Sequence, residues 1–181
     1  MQPFVSDVKK IRERARTAMD QGAVTPGYKA DRAQVIKVLN EVLATEIVCT
    51  LRYRRHYYTA DGLNSESVKA EFLQHAQEEQ QHADWVAERI TQLNGEPNFS
   101  PKGLADRSHA DYAEGTDLVS MIEEDLVAER IAIQTYSEII HWLSDNDPTT
   151  RRLIERILEK EEEHAEDLVT LISRLKPQSS H

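Results

Sequence analysis

The same arrangement of acidic, histidine and tyrosine residues occurs twice in this sequence, and this internal repeat limits the folds open to the chain. In each copy a glutamate is followed seven residues later by a tyrosine, and a Glu-x-x-His motif comes further along. Corresponding residues of the two copies lie 82 or 83 positions apart. They are Glu46, Tyr53, Glu79 and His82, then Glu129, Tyr136, Glu161 and His164. The repeat predicts two similar helical hairpins.

Four long segments carry apolar residues at steps of three and four, which is the spacing of amphipathic helices. They cover about residues 31–60, 65–93, 116–144 and 147–175. Thr116 is the expected N-cap of the third helix, and Asp147 followed by Pro148 is a typical helix start. Glycines and prolines in residues 95–115 predict a long connection without regular structure. The sequence therefore predicts an all-α four-helix bundle with a long crossover between its second and third helices.

The N-terminal end differs from the rest of the chain in charge and pattern. Residues 1–30 are interpreted as an extension and residues 31–181 as the bundle. The extension is expected to contain a short helix at residues 5–19 and then a Gly- and Pro-containing linker. Residues 1–32 hold seven lysines and arginines against four acidic residues, whereas the whole chain has a net charge of −10. Such a negative chain is not expected to bind nucleic acid or membranes in general, so DNA contact would fall to the extension.

The repeated residues are predicted to meet inside the bundle. Each Glu-x-x-His pair lies on one side of its helix, because residues three apart on a helix are neighbours. The other two glutamates continue the apolar stripes of their helices. Four buried carboxylates are costly without counter-charge, and two divalent metals would supply +4 against −4. Either motif alone is more typical of a solvated face, but together they predict a dinuclear site with ligands Glu46, Glu79, His82, Glu129, Glu161 and His164.

This pattern resembles the ferritin-like superfamily over about residues 31–176, and most closely the bacterioferritin type. The resemblance implies a dinuclear iron site that oxidises Fe(II). It also implies the role of each residue: Glu79 and Glu161 would bridge the metals, Glu46 and Glu129 would be terminal ligands, and His82 and His164 would be nitrogen ligands. Tyr53 would be the tyrosine beside the site. Manganese or zinc would be substitute metals.

The sequence departs from the bacterioferritin pattern in three ways. Bacterioferritins bind haem through a methionine after the second-helix glutamate, but Gln80 occupies that position, so haem is not expected. Only six residues follow the fourth helix, which leaves no fifth helix and favours the dodecameric shell of Dps-like mini-ferritins over a larger one. Glu78 can orient a histidine ligand, whereas Lys160 at the corresponding position cannot, and Asp125 is the expected substitute.

The expected function is Fe(II) oxidation by dioxygen or hydrogen peroxide, with iron stored inside a homo-oligomeric cage. One alternative is a di-metal oxidoreductase without storage, such as a catalase, a peroxidase or an oxygenase. A rubrerythrin-type peroxidase is excluded because it needs four cysteines and the chain has only Cys49. Another alternative is a DNA-protecting Dps-like protein that uses residues 1–32. The subunit number and the oxidant stay open.

Two further expectations concern single residues and location. Cys49 is expected in the core, and His75 is interpreted as a surface residue in preference to an auxiliary ligand. The lone cysteine, together with the lack of an apolar stretch that could span a bilayer, predicts a cytoplasmic protein without membrane contact.

Overall fold

Six α-helices and one short 3₁₀ turn make up the regular structure of residues 6–62 and 65–175, which are the residues that the computed structural model describes. No β-strand and no helix apolar and long enough to cross a membrane occurs within them. The helices are α1 (Val8–Arg14), α2 (Arg32–Thr59), α3 (Ser65–Gln92), α4 (Leu104–Arg107), α5 (Leu118–Leu143) and α6 (Pro148–Leu175). Helices α2, α3, α5 and α6 form the bundle, which confirms the predicted fold class. Residues 176–181, where a fifth helix was judged absent, lie outside the described residues.

The helix starts follow local capping chemistry. The carboxylate of Asp31 accepts backbone N–H groups in the first turn of α2, and Asp147 accepts one in the first turn of α6. The predicted cap of α5 is wrong by one residue. Asp117, not Thr116, accepts the backbone N–H of Ser120, and the Ser120 hydroxyl accepts the backbone N–H of Asp117. This reciprocal capping box satisfies two backbone N–H donors. With Thr116 as the cap, the backbone N–H of Ser120 would lose the Asp117 carboxylate as its acceptor.

The bundle consists of two hairpins, because α2 packs mainly on α3 and α5 packs mainly on α6. This is the arrangement that the internal repeat predicts. Apolar residues form two core clusters along the bundle, one including Leu43, Val86, Ala132 and Ile157, the other including Phe72, Ile122 and Leu168. On every bundle helix the repeated glutamates and histidines fall between these two clusters in sequence. The site is therefore closed off by apolar side chains at both ends.

The crossover between α3 and α5 is held against α2 by polar contacts from two buried side chains of α2. It includes the short helix α4, which the sequence interpretation treated as part of an irregular loop. The Arg52 guanidinium donates to the backbone carbonyl of Asp111 over 3.1 Å, and His56 Nε2 lies 2.9 Å from the carbonyl of Glu114. Arg52 and His56 also both contact Asp125 of α5. This network joins α2, the crossover and α5.

The N-terminal extension packs onto one end of the bundle. Its helix was predicted at residues 5–19, but α1 covers Val8–Arg14, and residues 1–5 lie outside the described residues. The helix stops early because none of its residues is buried and the Thr17 hydroxyl bonds to the carbonyl of Arg14 over 2.8 Å. Further along, the Tyr28 hydroxyl donates to Asp147 over 2.8 Å. The linker is thereby fixed to the start of α6.

Candidate metal centre

The structure brings all six predicted ligands together in the bundle interior. The side chain of each is 1% exposed or less. They form two groups of four, in each of which one ligand atom per residue lies within 4.8 Å of the others. Glu79 and Glu161 belong to both groups. The first group is completed by Glu46 and His82, and the second by Glu129 and His164.

Both histidines face the carboxylates of the site with Nδ1. His82 Nδ1 lies 3.1 Å from Glu46 and 3.0 Å from Glu161. His164 Nδ1 lies 3.2 Å from Glu79 and 3.5 Å from Glu161. Each imidazole thus directs its Nδ1 at one group of carboxylates, with Glu161 common to both. The contacts of His82 with Glu161 and of His164 with Glu79 correspond under the repeat of the sequence. The contact of His82 with Glu46 has a longer counterpart, because His164 Nδ1 lies 3.9 Å from Glu129.

Two buried tyrosines connect the hairpins at the site. The Tyr53 hydroxyl donates to Glu129, and the Tyr136 hydroxyl donates to Glu46, so each tyrosine contacts the glutamate of the other copy. Burial raises the pKa of both phenols well above the ordinary value, and the neighbouring carboxylates raise it further. Both hydroxyls therefore keep the proton that they donate. Tyr53 lies where the resemblance implies, and Tyr136 is its counterpart in the second hairpin.

Several polar atoms of the site have no hydrogen-bond partner although they are buried. They are Glu79 Oε1, Glu129 Oε2, both carboxylate oxygens of Glu161, and His164 Nδ1. An unsatisfied buried polar group costs about 1–3 kcal/mol, and more if it is charged. These atoms face one another, so cations between them would satisfy the whole set. The donor set thus fits a pair of metal ions.

The ionisable side chains of the site shift one another's pKa values. Burial and the negative charge of Glu161 raise the pKa of Glu79 and of Glu129 well above the ordinary value. Burial alone would lower the pKa of His82, but Glu161 and Glu46 beside its Nδ1 outweigh burial and raise it to about 9. Without metal, protons therefore neutralise part of the cluster. Metal ions would displace those protons.

Two residues were expected to orient the histidine ligands, and only Glu78 contacts one of them in the structure. His164 Nε2 lies 2.7 Å from Glu78, and this hydrogen bond lowers the pKa of Glu78 to about 2. Glu78 therefore orients His164, as proposed from its position. The suggestion that Asp125 serves the other histidine is wrong, because its two oxygens contact Arg52 and His56.

The interpretation of His75 as a surface residue is also wrong. Its side chain is fully buried, and its ring stacks on His164 with the centroids 4.0 Å apart. Its Nδ1 lies 3.2 Å from the Tyr53 hydroxyl. Burial and the neighbouring His164 lower the pKa of His75 to about 3. Its seven-residue spacing from His82 was the signal that placed it on the inner face.

Comparison with known proteins assigns the family. The profile of the ferritin-like domain matches residues 36–177, which is most of the chain. The chain belongs to the ferritin-like family. A bacterioferritin from Desulfovibrio desulfuricans is 32% identical over 140 residues, covering 76% of this chain and 74% of that protein. A nutrient stress-induced DNA-binding protein from Nostoc is 31% identical over 147 residues, covering 78% and 79%.

Solved structures of ferritin-like proteins share the fold. A dodecameric thioferritin from Bacteroides fragilis, described as a bacterioferritin-related protein, matches with a TM-score of 0.78 and 34% identity over 84% of this chain and 94% of that one. The bacterioferritin of Desulfovibrio desulfuricans, whose structure shows a diiron site, matches with a TM-score of 0.72 and 29% identity over 82% and 84%. The family is thus shown by sequence and by structure.

Proposed function

We propose that this ferritin-like chain oxidises Fe(II) at its buried site and stores the product inside a protein shell. The observation that carries the proposal is the pair of four-ligand groups that share Glu79 and Glu161. Shared carboxylates suit two cations held side by side, and oxygen ligands with imidazole suit iron. Manganese and zinc are accepted by the same ligand types and are the expected substitutes.

Each ligand has a distinct place in this proposal. Glu79 and Glu161 would bridge the two metal ions, because they belong to both groups. Glu46 with His82 would complete one position, and Glu129 with His164 the other. When bound, the iron pair supplies the electrons that reduce dioxygen or hydrogen peroxide.

The protein contributes orientation, charge and exclusion of water. The hydroxyls of Tyr53 and Tyr136 fix the two terminal carboxylates, which holds them in place before metal arrives. His82 and the two raised-pKa glutamates release protons as metal binds, so the site's charge stays balanced. The apolar clusters on both sides keep the carboxylates out of bulk water, where their attraction for cations would be weaker.

The shell is proposed to be a homo-oligomer of twelve chains. The dodecameric relative from Bacteroides fragilis supports this number, since it matches 84% of this chain at 34% identity. A di-metal oxidoreductase without storage is the alternative, and particle mass separates the two. Light scattering is expected to give about twelve chains per particle, whereas a monomer or dimer at micromolar concentration would favour the oxidoreductase.

DNA protection is a second candidate function, favoured by the exposed basic side chains of α1. Lys9, Lys10, Arg12 and Arg14 are all exposed, and the Nostoc relative is named as DNA-binding. Repetition of this charge over a shell would strengthen a weak phosphate contact. The test is fluorescence anisotropy with a duplex at low salt. Binding that disappears on removal of residues 1–30 supports the idea, and absence of binding at low salt refutes it.

The test of the main proposal removes one ligand. In Glu129→Ala, three carboxylates remain against two cations, so one metal position is weakened more than the other. We expect Fe(II) oxidation to slow by at least tenfold, about 1.4 kcal/mol in the barrier. Folding should persist, because burial and Glu161 already make an ionised Glu129 unfavourable in the metal-free cluster, as its raised pKa indicates.

The matched control is Glu162→Ala, because Glu162 is exposed on α6 beside Glu161. Its oxidation rate should equal that of the unchanged protein. The rates are measured by stopped-flow absorbance after the protein has been loaded anaerobically with Fe(II). Mixing with dioxygen in one series and with hydrogen peroxide in another identifies the preferred oxidant. Equal rates for Glu129→Ala and the unchanged protein, with the same particle mass, would refute the ligand assignment.

A further inference from the structure

A third group of metal-ligand side chains lies beside the six-residue site. Glu71 and His75 are one turn apart on α3, and Asp167 lies on α6, one turn after His164. One ligand atom from each of the three lies within 4.8 Å of the other two. The dinuclear proposal uses none of these residues.

The hydrogen bonds of His75 fix which of its nitrogens is free. Tyr53 has a single hydroxyl proton, and it donates that proton to Glu129. The Tyr53 oxygen therefore accepts from His75, whose Nδ1 lies 3.2 Å away and must carry the hydrogen. In the neutral ring this leaves a lone pair on Nε2.

The free nitrogen of His75 points at two carboxylates. Nε2 is buried and has no hydrogen-bond partner. Glu71 Oε1 lies 3.5 Å from it and Asp167 Oδ2 lies 3.7 Å from it. A lone pair that faces two carboxylate oxygens is unfavourable unless a cation, or a proton on one of the carboxylates, lies between them.

The distances from His75 Nε2 to the two carboxylate oxygens fit ligands around a shared ion better than they fit hydrogen bonds. Nitrogen and oxygen ligands lie about 2.0–2.2 Å from zinc, so two of them in a tetrahedral site are about 3.4 Å apart. A hydrogen bond between the same atoms would measure about 2.9 Å. The distances at His75 are close to the first value.

We propose that Glu71, His75 and Asp167 bind a third divalent cation, at a site that opens to solvent beside the dinuclear centre. The side chains of Glu71 and Asp167 are 29% and 45% exposed, so an ion can arrive from outside the bundle. The ring of His75 stacks on His164 at the inner side. Delivery of Fe(II) from this site to the dinuclear centre would rest on the proposed function, whereas binding of the ion does not.

The test counts Zn²⁺ ions, which need no oxidant and undergo no redox reaction. Isothermal titration calorimetry of the metal-free oligomer should give three Zn²⁺ per chain. The double variant Glu71→Gln/Asp167→Asn should give two, because it keeps His75 and the six-residue site but removes both carboxylate charges. The control Glu166→Gln should give three, because Glu166 is exposed on α6 next to Asp167.

Anomalous diffraction at the zinc edge then locates the third ion. A peak about 2.0–2.2 Å from His75 Nε2, lost in the double variant, is the expected result. Two ions per chain in the unchanged protein, or a third ion that the double variant retains, would overturn the proposal. A third peak together with a failure to oxidise Fe(II) would support this site and refute the ferroxidase proposal, so the two failures are distinguishable.

Discussion

Replacement of Asp125 by asparagine tests the buried network that joins α2 to α5. One oxygen of Asp125 lies 2.7 Å from Arg52 Nε, and the other lies 2.8 Å from His56 Nδ1. All three side chains are fully buried. The change keeps the shape of the side chain, removes its charge and replaces one acceptor oxygen by an NH2 donor, so Arg52 is left in the core without a counter-ion.

The expected loss of stability follows from that isolated charge. Removal of one partner of a buried ion pair costs about 3–5 kcal/mol. The asparagine oxygen can still accept from Arg52, so the low end, about 3 kcal/mol, is expected for Asp125→Asn. Such a loss corresponds to a fall of about 6–12 °C in the melting temperature for a chain of this size.

Urea unfolding and thermal melting at equal protein concentration measure the effect. Glu138→Gln is the matched control, since it makes the same chemical change at an exposed position of α5. It should change stability by about 0.5 kcal/mol at most. A loss below about 1 kcal/mol for Asp125→Asn would refute the view that this ion pair holds α2 and α5 together.

Three more outcomes follow from the site. Metal affinity, measured by Zn²⁺ titration, should rise with pH and go on rising beyond about 9. His82, with its pKa raised to about 9, must lose its proton to bind metal, and so must His164, whose pKa the neighbouring carboxylates raise further against the effect of burial. Tyr53→Phe and Tyr136→Phe should each weaken Zn²⁺ binding by about 10–100-fold through loss of the bond to a terminal glutamate, while Tyr58→Phe, at an exposed tyrosine, should not. Haem should be absent, because Gln80 offers only an amide, a poor ligand for haem iron; a Soret band retained at one haem per subunit pair would show this wrong.

The four bundle helices and the meeting of the six residues could be predicted because their signal is repeated. Each Glu-x-x-His pair and each glutamate on an apolar stripe has a counterpart 82 or 83 residues away. Helical periodicity then places the repeated side chains on inner faces. The starts of α2 and α6 follow from a separate, local signal, since Asp31 and Asp147 cap the first turns.

Residues fixed by long-range partners escaped prediction. In the sequence, Arg52 and His56 have the character of solvent-exposed polar residues. They are buried because the packing of α5 against α2 supplies Asp125 as their partner. His75 lies in a polar stretch of α3, and its burial comes from Tyr53 on another helix and His164 on a third. The crosswise pairing of each tyrosine with the glutamate of the other hairpin likewise depends on how the hairpins pack.

The surroundings of iron in the loaded protein test the central claim most directly. X-ray absorption on oligomer loaded anaerobically with two Fe(II) per chain reports the distances around each iron. Because Glu79 and Glu161 belong to both ligand groups, the account predicts an iron–iron distance of about 3.5–4 Å together with nitrogen and oxygen ligands. Iron surrounded by light atoms alone, with no second iron within that range, would contradict a dinuclear site.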